Sequence, residues 1–251
     1  MINVLISGAL GRMGKKVYEA CCSSNEVLAV CGVDIKEDLS QNNFPVYESF
    51  DKVKEKVDVL VDFSAPANLD NVLTFCLKRD CPAVLCATGY TDEQVNKVKA
   101  ASEKIAVFRS GNMSLGVNVL IDLVKKAAAA LYGFDVEIIE KHHNNKVDAP
   151  SGTALMLADA VKDVDNDKHY IYGREGICGK RDKKEIGIHA VRGGNIVGEH
   201  DVIFAGNFET VTLSHQATDR SVFAEGAVKA VIYIADKKSG LYNMNDVING
   251  K

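Results

Sequence analysis

The sequence lacks the features that mark membrane, secreted or nucleic-acid-binding proteins. No apolar run approaches the ~18 residues that span a bilayer. Residues 1–6 lack the basic region, long apolar stretch and cleavage site of a secretory signal. There is no excess of basic side chains: 30 stand against 34 acidic ones, and the net charge of -4 argues against a chain-wide electrostatic grip on nucleic acid. We therefore expect a cytoplasmic protein with neither nucleic acid nor membrane as a partner.

The seven cysteines do not make a disulfide framework. Their number is odd, and a chain of 251 residues is long enough to bury a core without crosslinks. Cys76, Cys81 and Cys86 are evenly spaced, but the two-residue gap typical of zinc or iron–sulfur ligands is missing. We expect reduced thiols, mostly buried as small hydrophobic side chains, and no metal site.

The first half of the chain alternates short apolar runs with helical stretches. The runs cover 2–7, 27–33, 57–63, 83–87 and 105–108. Helices are predicted over 13–22 and 66–79, and Thr91 begins another with the chemistry of a helix cap. Buried strands joined by helices are typical of an α/β fold with a Rossmann-type, doubly wound parallel sheet.

The pattern changes after Asn112. The segments predicted there are a helix over 115–132, a strand over 135–141, a helix over 151–164, and strands over 185–192, 196–204 and 209–214. Gly193, Gly194 and Asn195 are predicted to form a hairpin turn, and 162–184 a loop-rich segment. We therefore expect a second, α+β domain over 113–220 with an open, mostly antiparallel sheet. A last helix over 222–237 is expected to return to the first domain, 1–112, which 221–251 would complete.

Three glycines stand between the first strand and the first helix. The segment Gly8-Ala9-Leu10-Gly11-Arg12-Met13-Gly14 has the spacing G-x-x-G-x-x-G, not the commoner G-x-G-x-x-G. Glycine permits positive φ and close approach of a pyrophosphate, and a helix N-terminus offers unpaired N–H groups. A plain strand–helix turn has the same pattern. However, Asp34 lies twenty residues beyond Gly14, where a carboxylate meets the adenosine ribose, and this position favours a dinucleotide site.

The choice between NADH and NADPH stays open at this point. The carboxylate of Asp34 repels a 2′-phosphate and favours NADH. Lys36 and Arg12 attract that phosphate, so dual use is consistent with the sequence.

The densest chemistry lies at 140–154, which reads Glu-Lys-His-His-Asn-Asn-Lys-Val-Asp-Ala-Pro-Ser-Gly-Thr-Ala. The segment leads from a strand to a helix N-terminus, a site suited to a carboxylate or phosphate. Four potentially cationic side chains within six positions indicate an anionic substrate: Lys141, His142, His143 and Lys146. A histidine close to a lysine should have a lowered pKa and exchange a proton near neutrality. Metal ligation is disfavoured because adjacent histidines on a strand point to opposite faces; a solvated loop is the other interpretation.

Together with 8–14, this segment resembles the 4-hydroxy-tetrahydrodipicolinate reductase family. The family's signature, E-x-H-H-x-x-K-x-D-x-P-S-G-T-A, is complete from Glu140 to Ala154. The likeness covers essentially the whole chain, with further matching segments at 59–64, 88–89, 112–118, 196–200 and 223–227. A homoserine or aspartate dehydrogenase would not explain the complete 140–154 segment. A non-catalytic dinucleotide sensor would be expected to have lost His142 or Lys146, and both are present.

The resemblance implies an activity and a set of site residues. The activity is NADH- or NADPH-dependent reduction of a cyclic imine dicarboxylate in diaminopimelate and lysine biosynthesis, by a homotetramer built through the open sheets of the second domain. His142 matches the family's general acid and Lys146 its substrate-activating, proton-donating lysine, and either could deliver the proton. The matching substrate contacts are His143, Ser151, Gly152 and Thr153. With Lys36, the expected cofactor contacts are Gly8, Ala9, Leu10, Gly11, Arg12, Met13, Asp34, Cys86, Ala87, Thr88, Ser110, Gly111, Asn112 and Met113.

One cofactor segment departs from the family's pattern. Cys86-Ala87-Thr88 stands where the family usually has Gly-Thr-Thr. The hydroxyl of the first of those threonines has no counterpart at Ala87, so any contact made by that hydroxyl is not expected here.

Overall fold

The structure is a computed structural model that describes residues 1–36 and 44–250. It divides into two compact units, one formed by Met1–Leu115 with Arg220–Lys251 and the other by Gly116–Asp219. The carboxy-terminal segment therefore packs in the first unit. Within the described ranges, no helix combines the length and the apolar character needed to cross a membrane.

The elements are named in chain order. The strands are β1 (Ile2–Ser7), β2 (Val27–Val33), β3 (Val46–Tyr47), β4 (Val59–Asp62), β5 (Ala83–Leu85), β6 (Ala106–Arg109), β7 (Asp135–His142), β8 (His169–Tyr172), β9 (Glu185–Arg192), β10 (Gly198–Ala205), β11 (Thr210–Ala217) and β12 (Gly240–Tyr242). The α-helices are α1 (Arg12–Cys22), α2 (Leu69–Arg79), α3 (Asp92–Ser102), α4 (Leu115–Ala130), α5 (Gly152–Lys162), α6 (Ser221–Ile234) and α7 (Met244–Asn249).

The first unit is built on a seven-stranded parallel sheet in the order β12-β6-β5-β4-β1-β2-β3. Its inner five strands are the five predicted from the apolar runs, while β3 and β12 extend the two edges. Strand β1 pairs with β2 on one side and β4 on the other, so the order reverses at β1. Open α/β sheets bind ligands at such a reversal, at the carboxyl ends of the strands.

Alternate residues of these strands pack against helices on opposite faces of the sheet. Val4 and Ile6 of β1 belong to a core shared with α1, α6 and α7. Leu5, between them, belongs to a second core shared with α2 and α3. Because each strand is covered on both faces, its sequence is a continuous apolar run. The predicted doubly wound parallel sheet is confirmed.

The second unit places α4 and α5 on one face of a five-stranded sheet in the order β11-β10-β7-β9-β8. The central strand β7 alternates between half-buried and buried residues. Val136 and Ile138 therefore point into the core, and Glu140 and His142 continue the same buried face. The titratable side chains of Glu140 and His142 are thus held at the carboxyl end of β7, the middle strand of the sheet.

This sheet is mixed, and the predicted hairpin at 193–195 is wrong. Strands β10 and β11, and β10 and β7, are antiparallel, but β7 and β9, and β8 and β9, are parallel. Strand β7 lies between β9 and β10, so the connection from β9 crosses its end. The N–H of Gly193 donates to the carbonyl of His142 at 2.9 Å, and the N–H of Asn144 donates to that of Gly194 at 3.2 Å. Gly193 and Gly194 do turn the chain, but the strands that they connect, β9 and β10, are separated in the sheet by β7.

Other local expectations had mixed outcomes. The segment 162–184, predicted to be loop-rich, contains the edge strand β8. All seven cysteines are free thiols, and four are buried, Cys21, Cys31, Cys76 and Cys81. Burial raises the pKa of both Cys21 and Cys31 to about 12, which keeps these thiols protonated and unreactive. The prediction of free, mostly buried cysteines is confirmed.

Candidate functional site

The glycine turn after β1 is shaped by backbone contacts that leave no room for side chains. Gly8 has a φ of 78°, and a Cβ there would lie 3.0 Å from the backbone carbonyl of Phe63. A Cβ on Gly14 would lie 2.2 Å from the carbonyl oxygen of Gly8. Both positions therefore require glycine: Gly8 because of its positive φ and the backbone after β4, and Gly14 because α1 packs directly on the turn that precedes it.

The start of α1 is suited to an anion. Gly11 is the N-cap residue, and because it has no side chain it caps none of the first-turn N–H groups. No acidic residue lies in that first turn, and Arg12 is exposed there. The dipole of α1 and these N–H groups fit a pyrophosphate, which is the group that a dinucleotide would place at this turn.

Asp34 is tied to the glycine turn. Its Oδ2 accepts the N–H of Leu10 at 2.9 Å and its Oδ1 accepts the N–H of Ile35 at 2.8 Å. Gly8 and Asp34 both line a cavity of about 680 Å³, together with Ser64 and Asn68 from the segment after β4. The carboxylate borders a space large enough for a nucleoside, while Lys36, two residues on, is exposed. These residues fit the adenosine half of a dinucleotide.

The remaining predicted cofactor residues follow β5 and β6. Cys86, Ala87 and Thr88 come directly after β5, and the segment 110–113 directly after β6, so both lie at the carboxyl edge that also holds Gly8 and Asp34. They are separated from the glycine turn by β4 and are not among the described residues that line the 680 Å³ cavity.

Two of these residues are oriented by the fold itself. Met113 is buried in the core, where its carbonyl would meet a Cβ on Gly226 at 1.8 Å. The side chain of Asn112 accepts the N–H of Ser114 at 2.8 Å. Burial raises the pKa of Cys86 well above that of a free thiol, so its side chain is a neutral, weakly polar group.

A polar network at the reversal between β1 and β4 was missed by sequence reasoning. Asp62, at the end of β4, is fully buried, and its Oδ1 accepts both the N–H and the hydroxyl of Ser64. Asn68 donates to the hydroxyls of Ser64, at 3.1 Å, and Ser7, at 3.4 Å. Burial raises the pKa of Asp62. The signal in the sequence was an aspartate and a serine closing two otherwise apolar strands.

In the second unit, the site is built around the end of β7. His142 is 9% exposed, and its Nδ1 lies 2.7 Å from Oε2 of Glu140, which is fully buried. The pKa of His142 is lowered, chiefly by burial, with the positive charges of Lys146 and Arg192 adding to the effect and Glu140 opposing it. The expectation of a histidine with a lowered pKa is confirmed, although desolvation is a larger cause than the neighbouring lysine.

Arg192, at the end of β9, binds the same carboxylate with both arms of its guanidinium. Its two Nη atoms each lie 2.7 Å from a different oxygen of Glu140. One Nη also donates to the carbonyl of Asp148 at 2.8 Å, which ties the loop after β7 to the end of β9. A forked, largely buried arginine–carboxylate pair is a strong and directional contact.

The helix α5 begins directly beside this group. The Ser151 N–H donates to Oε1 of Glu140 at 2.9 Å, and its hydroxyl accepts the N–H of Ala154 at 3.2 Å as the N-cap. Gly152 is exposed and has open space where a Cβ would be, and Thr153 is half-buried. The N–H groups at the start of α5 therefore suit a carboxylate.

Lys146 lies in the loop between β7 and α5. Its Nζ is 2.8 Å from Oδ1 of Asp148, and its side chain is 20% exposed. The positive charge of Lys146 contributes to lowering the pKa of His142. His143, directly after the end of β7, is half-buried.

Lys141 does not belong to this site. It is on the opposite face of β7, where its Nζ lies 3.1 Å from Glu199 and 3.2 Å from Asp201 of β10. The four cations counted in sequence are therefore divided by the strand alternation. Of that set, His142 is joined through Glu140 to Ser151 at the start of α5, and Lys146 acts on His142 through its charge.

Arg192 and His200 are the site residues that sequence reasoning missed. His200, on β10, is buried, with its Nε2 3.0 Å from the Ser151 hydroxyl and its ring 5.2 Å from that of His142. Both residues belong to strands that flank β7, and only the strand order brings them next to the 140–154 segment.

Known protein-family models match both units of the chain. The model for the N-terminal part of dihydrodipicolinate reductase matches residues 2–113, and that for its C-terminal part matches 116–248. The chain belongs to the dihydrodipicolinate reductase family. The family resemblance drawn from the motifs is confirmed, and with it the interpretation as an oxidoreductase.

Relatives named for this activity match along their whole length. The 4-hydroxy-tetrahydrodipicolinate reductase of Caldanaerobacter subterraneus subsp. tengcongensis is 50% identical over 249 residues, which cover 99% of this chain and 98% of that one. That of Clostridium tetani is 47% identical over 251 residues, with the same coverage. Among solved structures, the dipicolinate-bound dihydrodipicolinate reductase from Paenisporosarcina sp. TG-14 has a TM-score of 0.82 at 27% identity, over 98% of this chain and 99% of that one.

Proposed function

We propose that the chain reduces 4-hydroxy-tetrahydrodipicolinate, a cyclic imine dicarboxylate, to tetrahydrodipicolinate in diaminopimelate and lysine biosynthesis, using NADH or NADPH. The observation that carries the proposal is the junction of β7 and α5. There a buried histidine, its carboxylate partner and the N-terminus of a helix are joined by direct hydrogen bonds through Glu140. A proton donor is thus held next to a binding site for a carboxylate.

Binding of the dicarboxylate is assigned to the start of α5 and to Lys146. The Ser151 hydroxyl caps Ala154, and the N–H groups of Gly152 and Thr153, in the same first turn, are assigned to one substrate carboxylate. Lys146 adds a positive charge, and entry of a dianion would compete with Asp148 for that charge. The half-buried His143 is assigned a contact with the same ligand.

Proton delivery is assigned to His142. Charge that develops on the reduced ring must be neutralised by a proton, and the same acid can assist loss of the hydroxyl group. His142 has a fixed direction through its bond to Glu140, whereas Lys146 is on a loop and is paired with Asp148. We therefore assign the acid role to His142 and the electrostatic role to Lys146.

The cofactor is assigned to the first unit. When bound, the reduced nicotinamide supplies the hydride. The segment Gly8 to Met13 would hold the pyrophosphate and Asp34 the adenosine ribose, with 86–88 and 110–113 towards the nicotinamide. We expect both cofactors to work, with NADH preferred or equal, because Asp34 repels a 2′-phosphate that Arg12 and Lys36 attract.

Assembly and location complete the proposal. We expect a cytoplasmic homotetramer built through the open face of the second sheet, the face opposite to α4 and α5. Analytical ultracentrifugation of the purified chain tests the tetramer, and a monomer at micromolar concentration would contradict it.

The activity is tested by the absorbance of the reduced nicotinamide. The purified chain is mixed with NADH or NADPH, and the substrate is supplied by a coupled synthase because it is short-lived in solution. We expect absorbance to fall only when the synthase, its substrates and this chain are all present. Absence of cofactor oxidation with either nucleotide, while the synthase is shown to turn over, would contradict the proposal.

A further inference from the structure

The buried carboxylate of Glu140 has four polar contacts, whereas one positively charged partner would neutralise its charge. Oε1 accepts from the N–H of Ser151 and from one Nη of Arg192. Oε2 accepts from the other Nη and faces Nδ1 of His142 at 2.7 Å. Each oxygen thus has two partners, and the position of the carboxylate is determined by β9 and α5 as well as by its own strand.

These contacts decide where the histidine carries its proton. Burial alone would raise the pKa of Glu140, but Arg192, His142 and the Ser151 N–H together hold it below the ordinary value. The group is therefore an ionised carboxylate, which only accepts hydrogen bonds. His142 must then donate from Nδ1, so the neutral ring is the Nδ1–H tautomer and the proton that it gains or loses is on Nε2.

On the Nε2 side of the ring, the neighbouring residue of β10 is a glycine. A Cβ on Gly198 of β10 would lie 3.1 Å from Nε2, closer than ordinary side-chain contact. Glycine at this position leaves the space beside the nitrogen open. A proton on Nε2 is thus on the side of the ring away from Glu140, next to a residue of β10 that has no side chain.

Arg192 connects this arrangement to the loop that carries Lys146. Its Nη atoms also donate to the carbonyls of Val191, at 2.7 Å, and Asp148, at 2.8 Å. Asp148 in turn holds Lys146 through its side chain. The guanidinium of Arg192 therefore holds both the carboxylate of Glu140 and the backbone of Asp148, the residue that binds Lys146.

We propose that Glu140 is a positioning residue that fixes the tautomer and direction of His142, and that Arg192 holds Glu140 in the orientation that this role requires. The inference rests on the proposed function in one respect, which is that His142 is the acid. The effect on the tautomer does not depend on turnover and is measured separately.

The groups that face His142 come from four elements. Glu140 is on its own strand, Lys146 on the following loop, Arg192 on β9 and His200 on β10, while His215 of β11 acts on His200. Of these, Glu140 alone favours the charged imidazolium. Loss of its charge should therefore lower the pKa of His142, so that an acid on this ring is lost at a lower pH than in the wild-type chain.

Glu140→Gln is the informative variant because it keeps the size of the side chain. The amide oxygen is expected to stay with the Ser151 N–H and one Nη of Arg192, while the other Nη loses its acceptor. The amide NH₂ then faces His142 and donates to Nδ1, which reverses the tautomer. Arg192→Lys keeps the charge but removes the fork, and should give an intermediate effect.

The control is Glu137→Gln. Glu137 is on the same strand and is also a carboxylate bound by arginines and a histidine, Arg174, Arg181 and His189, but on the opposite face. The variant Glu137→Gln therefore also removes a carboxylate from its arginine and histidine partners, but that carboxylate does not contact His142. Because this is the face proposed to form the tetramer, the control is compared with the wild type at the same oligomeric state, and its pH–rate profile should then stay that of the wild type.

The experiment combines imidazole ¹⁵N NMR of the full chain with pH–rate profiles. The His142 signals are identified by their loss in His142→Gln. We expect the neutral ring to be the Nδ1–H tautomer in the wild type and the Nε2–H form or a mixture in Glu140→Gln. The kcat of that variant should fall about 10- to 100-fold with KM changed less than about 3-fold, and its alkaline limb should move to lower pH.

The outcomes separate the two proposals. A wild-type His142 that is neutral as the Nε2–H tautomer would overturn the inference, even if Glu140→Gln failed to fold. A folded Glu140→Gln with wild-type kcat at every pH would overturn it as well. If the wild-type chain shows the Nδ1–H tautomer but no reductase activity, the proposed function fails and the positioning of His142 by Glu140 stands.

Discussion

The hydroxyl of Ser151 bridges the first turn of α5 and the ring of His200 on β10. Its Oγ lies 3.0 Å from Nε2 of His200 and accepts the N–H of Ala154 at 3.2 Å. His200 is buried, and its burial, with smaller effects from His142, lowers its pKa to about 4. At neutral pH this histidine is therefore an uncharged support for the helix N-terminus, not a second acid.

The lowered pKa of His200 predicts a loss of stability in mild acid. In the unfolded chain its pKa is near 6.5, so as the pH falls from about 6.5 towards 4 the unfolded state binds a proton that the folded state does not. The free energy of unfolding should fall across this window, by up to about 3 kcal/mol from this residue. His142 and His215, whose pKa values are also lowered, act in the same direction. Urea unfolding at pH 7, 6 and 5 measures the slope.

His200→Gln tests which histidine is responsible. The amide can still bond to Ser151 but does not titrate, so the decline in stability between pH 7 and 5 should become shallower. His169→Gln, at an exposed position on β8, is the control and should keep the wild-type slope. Carboxylates with lowered pKa values, such as Glu137 and Glu140, begin to lose their contribution as the pH approaches their ordinary value of 4.5, but they are present in both chains and do not alter the comparison between them. An unchanged slope in His200→Gln would assign the effect elsewhere.

The parts of the fold that the sequence predicts correctly are those encoded locally. Apolar runs such as 27–33 mark strands covered on both faces, and the glycines after β1 mark a close approach of backbone to backbone. The N-cap role of Ser151 also follows from its own neighbours. Each of these depends on residues within a few positions, so a single sequence contains enough information.

The parts that it missed depend on strand order. The glycines at 193–194 have the chemistry of a hairpin, but whether two strands become neighbours depends on what lies between them, and here β7 does. For the same reason Arg192, 52 residues from Glu140, could not be assigned to the carboxylate that it binds. Alternation along β7 would have separated Lys141 from His142, because it is a local property.

His142→Gln should lower kcat by about 100-fold or more with a modest change in substrate KM, because a missing general acid acts mainly in the transition state. The steady-state rate of nicotinamide oxidation gives both parameters. Cofactor affinity, measured by quenching of NADH fluorescence, should be nearly unchanged, since the predicted cofactor residues are in the other unit. Wild-type kcat across the neutral pH range would show that the acid has been misassigned.

Lys146→Ala should raise KM and lower kcat together, because it removes a charge that both attracts the dianion and stabilises the reacting ring. Lys141→Ala is a matched control five residues away: its cation is on the opposite face of β7, held by Glu199 and Asp201. Because this face is proposed to form the tetramer, the variant is compared at the same oligomeric state, and we expect its kinetic constants to stay within about 2-fold of wild type. Similar losses in both variants would mean that net charge near β7 matters more than the position of Lys146.

Asp34 should set the balance between the two cofactors. Its carboxylate is held at the glycine turn by the N–H groups of Leu10 and Ile35, where an adenosine ribose or a 2′-phosphate would meet it. Asp34→Asn should therefore weaken NADH and improve NADPH relative to it, and Lys36→Ala should do the reverse. The NADPH effects should shrink with added salt because Lys36 and Arg12 are exposed and therefore screened. The measurement is kcat/KM for both cofactors at two ionic strengths in each variant. A strong wild-type preference for NADPH that survives Lys36→Ala would place the phosphate-binding residues elsewhere in the first unit.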